Sequence, residues 1–147
     1  MKTKLIKILG PAIFGIFLLV SCQEKKTETA SVPQEEMSDI EVIYFYGKQR
    51  CASCKAMEKF AKEAIDSVFL DKLKDGTLAF KSVDITTPEG EMMADLFEVT
   101  ASSIFIVDNT SEIPEKVDMT AFGFRNARNN RQVYKQGIID QINKFID

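Results

Sequence analysis

The stretch "FYGKQRCASCKAM", residues 45–57, sets two cysteines two residues apart, between an apolar run and the start of a helical pattern. Upstream, "IEVIYFY", residues 40–46, is rich in β-branched and aromatic side chains and predicts a buried strand, which Gly47 ends. Downstream, Met57, Phe60, Ala61, Ala64, Ile65 and Val68 recur at steps of three and four, the spacing of a helix with one face on a core. That helix is expected to stop at "KDG", residues 74–76, where Gly76 suits a left-handed cap. Cys51 then falls at the mouth of the helix. Cys54 falls one turn inside, on the buried stripe with Met57, Ala61 and Ala64.

The remaining elements follow from the same signals. "TLAFKSVDI", residues 77–85, predicts a second strand and completes a βαβ unit, whose hand is nearly always right. Thr87 caps a short helix with Pro88 in its first position, and Met92, Met93, Leu96 and Phe97 supply its apolar side. "SSIFIVD", residues 102–108, predicts a third strand, and a weaker fourth lies near 116–121. A last helix is expected from about Ala127 to Ile146, with Ile138, Ile139, Ile142 and Phe145 facing inward. Gly137 interrupts it at a cost of about 1 kcal/mol relative to alanine.

The N-terminus bears on where the cysteines work. Lys2, Lys4 and Lys7 precede an apolar run from Ile8 to Val20, the layout of a secretory signal, and the run is short for a membrane span of roughly 20 residues. Its end, "LVSC", resembles the bacterial lipobox, which implies cleavage of residues 1–21 and lipid on Cys22. Residues 22–38 are polar and charged and predict a flexible tether, leaving 39–147 as one domain. The expected location is the cell envelope, outside the cytoplasm, where disulfides persist. The 147 residues carry a formal charge of −3, and the leader holds three lysines and no acid, so the processed chain is more acidic still. Such a charge gives no electrostatic reason to expect nucleic acid as a partner.

With Cys22 assigned to lipid, two of the three cysteines remain, and the chain has no histidine. A C-x-x-C pair with no leftover thiol fits dithiol exchange. The unpaired N–H groups and dipole of a helix N-terminus favour Cys51 as thiolate, and Lys48, Arg50 and Lys55 add positive charge within a few residues. Cys51 is then the expected nucleophile and Cys54 the resolving thiol, with a protein thiol or disulfide as partner and no cofactor. Other uses of the pair remain open. A structural disulfide would close too short a loop to constrain the unfolded chain much. A tetrahedral zinc site wants four ligands and one protomer offers too few. Copper(I) or trivalent arsenic could accept two thiolates.

The element order β-α-β-α-β-β-α, with C-x-x-C after the first strand, resembles the thioredoxin fold, an α/β class with a mixed four-stranded sheet flanked by helices. "YFYGKQRCASCKAME" is similar to that family's active-site segment and "LFEVTASSIFIVD" to its approach to the third strand. More narrowly, "RCASC" with "GFRNARNN" resembles small bacterial lipoproteins labelled a nitrophenyl-compound nitroreductase subunit family, named by association with arsenic-related genes. That label implies little chemistry, because nothing in the chain resembles a flavin or nicotinamide site; the alternative to exchange is a metal- or metalloid-binding dithiol or an accessory subunit of a membrane redox complex. Thioredoxins carry a cis proline where Ser103 stands here. A cis bond before serine costs about 2.5–4 kcal/mol, so Ser102–Ser103 is expected trans. Their buried acid would fall near Phe45, where this chain has none. Arg125, Arg128 and Arg131 step by three, which predicts one helix face with Lys135 four further on. That face is either solvated or a candidate docking patch for an acidic partner. Phe122 and Phe124 are expected to plug the core.

Overall fold

A computed structural model describes residues 37–146. The elements are β1 (Ile40–Tyr46), α1 (Ala52–Val68), α2 (Leu70–Lys74), β2 (Leu78–Asp84), α3 (Pro88–Leu96), β3 (Ser103–Asp108), β4 (Glu115–Asp118), α4 (Thr120–Asn126) and α5 (Arg131–Ile146). The expected signal peptide 1–21, Cys22 and nearly all of the tether 22–38 lie outside the described residues. The tether's last residue is already tied to the domain, because the Asn109 side-chain amide donates to the Ser38 carbonyl at 2.9 Å. Among the described residues, no helix is long and apolar enough to cross a membrane.

The sheet has the order β2-β1-β3-β4. β1 runs parallel to β2 and antiparallel to β3, and β4 is antiparallel to β3. This is a thioredoxin-like arrangement, a mixed four-stranded sheet between helices. Alternation along β1 sorts its side chains to two faces. Ile40, Val42 and Tyr44 join Met57, Phe60, Ala61 and Ile65 of α1 and Tyr134, Ile138 and Ile142 of α5 in the larger cluster. Ile43 and Phe45 face the other way, onto Ala94 of α3 together with Val99 and Val107. Glu41 also points to that side, where it is buried and meets the Lys81 ammonium at 2.8 Å.

Several expectations need correction. The first helix does not run unbroken to Lys74. It ends at Phe69, whose φ of −113° and ψ of 26° turn the chain before α2 begins. The turn puts Phe69 into the core and leaves Val68 half exposed, although Val68 continues the apolar spacing of α1. Met93 on α3 and Phe97 just after it pack inward, but Met92 and Leu96 stand in solvent, because only one side of the helix meets the sheet.

The chain after β4 also differs. The Asp118 carboxylate accepts the Thr120 N–H at 2.7 Å, which starts a separate helix, α4, where a strand end was expected. Asn126 closes α4 by donating to the Phe122 carbonyl at 3.0 Å, and its own carbonyl accepts from the Asn130 N–H at 2.7 Å, so the chain turns before α5. Phe122 packs on the core, whereas Phe124 is 44% exposed. Gly137 has a packing reason: a Cβ there would lie 2.4 Å from two ring carbons of Phe122.

Candidate functional site: a dithiol at the mouth of α1

Cys51 is the N-cap of α1, with extended backbone at φ −69° and ψ 167°. Its sulfur accepts the Cys54 N–H at 3.0 Å, so the sulfur itself satisfies one orphan donor of the helix start. Cys51 and Cys54 form a disulfide with Cα atoms 5.0 Å apart. Cys51 is exposed and Cys54 is 6% exposed, packed on the stripe with Met57, Ala61 and Ala64. The helix start is held from below by Tyr44, a fully buried side chain whose hydroxyl donates to the Cys54 carbonyl at 2.8 Å.

The three cations near Cys51 are not equivalent. The Arg50 guanidinium pairs with the Glu58 carboxylate and lies over the Tyr46 ring at 4.7 Å and the Tyr44 ring at 5.5 Å. Glu58 also accepts the Ser82 hydroxyl at 2.7 Å, so the cluster joins the β1–α1 loop to α1 and β2. Partial burial works against the charged carboxylate, but the Ser82 hydroxyl and the Arg50 guanidinium together hold its pKa below the usual range. Burial likewise opposes the Arg50 charge, but Glu58 and Tyr44 together outweigh it and raise the guanidinium pKa. Lys48 is exposed and adds a small electrostatic pull on Asp84, whose carboxyl is held low mainly by the Thr86 N–H and hydroxyl. Lys55 is exposed on α1.

Ser103 opens β3 opposite Phe45, at the sheet end from which β1 leads to Cys51. Its hydroxyl donates to the Ala101 carbonyl at 3.2 Å, and Ser102 beside it is buried. No described peptide bond is cis, so Ser102–Ser103 is trans as expected. Phe45 is wholly buried, and the one acid of β1, Glu41, is committed to Lys81. Among the described residues, no three Cys, His, Asp or Glu side chains gather to hold a metal.

The three candidate docking arginines do not share a helix face. Arg125 is in the last turn of α4, Arg128 lies in the turn that follows, and Arg131 is the first residue of α5. Arg131 folds back over the Phe60 ring at 5.0 Å, beside the Lys135–Glu63 ion pair at 2.7 Å. The turn at 127–130, Ala-Arg-Asn-Asn, breaks the three-residue step.

Sequence reasoning found both cysteines and their surroundings in the chain but missed Tyr44, Tyr46, Glu58 and Ser82. Two signals were present: tyrosines at alternate positions of β1 share a face, and Glu58 stands one helical turn after Cys54. Ser82 enters only through the β1–β2 register.

No family model matches the chain, and no curated protein matches it. The narrower resemblance to nitroreductase-subunit lipoproteins is therefore not supported. Among solved structures, the chain is similar to a thioredoxin from Thermus thermophilus at 21% identity and a TM-score of 0.43, covering 67% of this chain and 72% of that one. It is also similar to a malarial protein at 16% identity and a TM-score of 0.42, covering 68% of this chain and 97% of that one.

Proposed function

We propose that this chain is a lipid-anchored, extracytoplasmic thiol–disulfide oxidoreductase that exchanges electrons with a partner protein through Cys51 and Cys54. The observation that carries the reading is the asymmetry of the pair: an exposed sulfur capping a helix, joined to a buried one a turn inside. The location rests on the leader and on Cys22 at the end of "LVSC".

In the dithiol form the Cys51 thiolate attacks one sulfur of a partner disulfide. A Cys51–partner disulfide forms, and the other partner sulfur departs as a thiolate. Cys54 gives up its proton to the departing thiolate and attacks the Cys51 sulfur. The Cys51–Cys54 disulfide closes and the second partner thiolate leaves, so two electrons have passed to the partner. Run backward, the same steps oxidise a partner dithiol. The helix N-terminus favours Cys51 as the thiolate because the Cys54 N–H already points at its sulfur.

The test is turnover of a small mixed disulfide by the reduced protein. The reading expects reduction by the parent, none by Cys51→Ser, and a trapped adduct with Cys54→Ser. Stoichiometric copper(I) or arsenite binding by a dithiol that fails to turn over would replace it with a binding role. Labelled fatty acid incorporated by the parent and lost in Cys22→Ala tests the anchor, and equal labelling of both would refute it.

A further inference from the structure

The sequence sets three cations around Cys51, yet the one adjacent to it is tied to an acid. Arg50 immediately precedes Cys51, and its guanidinium is bound by the Glu58 carboxylate and stacked on Tyr44 and Tyr46. Glu58 sits one turn beyond Cys54, and Cα–Cβ bonds tilt toward a helix N-terminus, so this carboxylate reaches back over the turn that carries the pair. The Ser82 hydroxyl fixes it from β2. The other charges near this end of the fold are Lys48 on the loop, Lys55 on α1, and Asp84, which stands beside Tyr46 at the end of β2.

Resting on the exchange reading above, we propose that Glu58 is a tuning residue for the pair: by neutralising Arg50 it keeps the loop's positive charge off the Cys51 sulfur and holds the couple more reducing than the surrounding cations alone would make it. The role differs from that of an acid that takes the Cys54 proton, because a carboxylate committed to an arginine and a hydroxyl is a weak base. It acts on the ground state of the dithiol. A cation near a thiolate stabilises the reduced form and raises the potential, and an anion paired to that cation undoes the effect.

The charge account makes the two halves of the ion pair act in opposite directions. In Glu58→Gln the freed Arg50 lowers the Cys51 pKa by about one unit, and the equilibrium constant with glutathione moves about tenfold toward the dithiol, equivalent to about 30 mV. In Arg50→Gln the bare carboxylate raises the Cys51 pKa and moves the equilibrium toward the disulfide. The double variant Arg50→Gln/Glu58→Gln returns near the parent. The measurements are the pH profile of iodoacetamide alkylation of the reduced protein and equilibration in glutathione buffers.

If both single variants shift the same way, or neither shifts, Glu58 is only a structural tie and the proposal is overturned. A Glu58→Gln chain that does not fold leaves Arg50→Gln to decide by its sign. Should the parent show no reversible couple, the exchange reading fails by itself, and the alkylation profiles still judge Glu58.

Discussion

The Tyr44 hydroxyl reaches the Cys54 carbonyl at 2.8 Å and so ties the middle strand of the sheet to the helix turn that carries both cysteines. β1 and α1 are joined by a short loop, and this buried bond between residues ten apart in sequence fixes how the helix mouth sits over the strand end. Removing the hydroxyl leaves the carbonyl its helical partner, so Tyr44→Phe should cost about 1 kcal/mol. The change should appear as a lower denaturant midpoint at an unchanged slope. A neutral result would mean that the bond does not hold the helix start.

Tyr134 makes a second tie to the buried face of α1, from α5, donating to the Met57 carbonyl at 3.1 Å from a fully buried site. Burial, with a smaller contribution from Tyr44, pushes its pKa well above the usual tyrosine value. Its ultraviolet titration should therefore lie beyond that of an exposed tyrosine, while Tyr134→Phe should destabilise by about 1 kcal/mol. Titration of all three tyrosines near the ordinary value would contradict this packing.

Helix propensity and packing disagree at Gly137, and the sign of a single substitution separates them. Propensity alone makes Gly137→Ala stabilising by about 1 kcal/mol. The Phe122 ring stands where the new methyl would go, with two ring carbons at 2.4 Å, and overpacking of this kind costs about 1–3 kcal/mol. The midpoint of thermal unfolding should fall, and Phe122→Ala in the same chain should remove most of the added cost. A rise in the midpoint would show that α4 does not press on α5 as described.

Glu58 also makes stability depend on pH. Its folded pKa is depressed below 4.5, so its contribution is present above that value and lost as pH falls through the lower, folded one. A glutamine does not titrate. The stability gap between parent and Glu58→Gln should be widest near neutrality and should close in acid, as read by chemical denaturation across that range. A gap independent of pH would mean that the carboxylate is not ionised in its pair with Arg50.

How much of this was legible in the chain depends on how local each feature is. β1, the inward stripe of α1, the Thr87 cap and the cysteine geometry are all set by residues within a turn or two of one another. The break at Phe69 and the separate α4 were not legible, because both are decided by what fits against the sheet and by side-chain bonds such as Asp118 to Thr120. Phe124 is as apolar as a core residue but faces solvent, since Phe122 and Gly123 take the inward positions of α4 against Gly137 and Met57. The Arg50–Glu58–Ser82 cluster spans the β1–α1 loop, a helix and a strand. Glu58 and Ser82 are 24 residues apart, and only the strand register brings them together.

The central claim, that Cys51 and Cys54 cycle, is tested most directly by the reduction potential of the purified protein in thiol redox buffers. The account predicts a reversible two-electron couple between about −120 and −270 mV, the span of dedicated oxidoreductases. A potential below about −300 mV, or no reversible couple, would make the disulfide structural and contradict it.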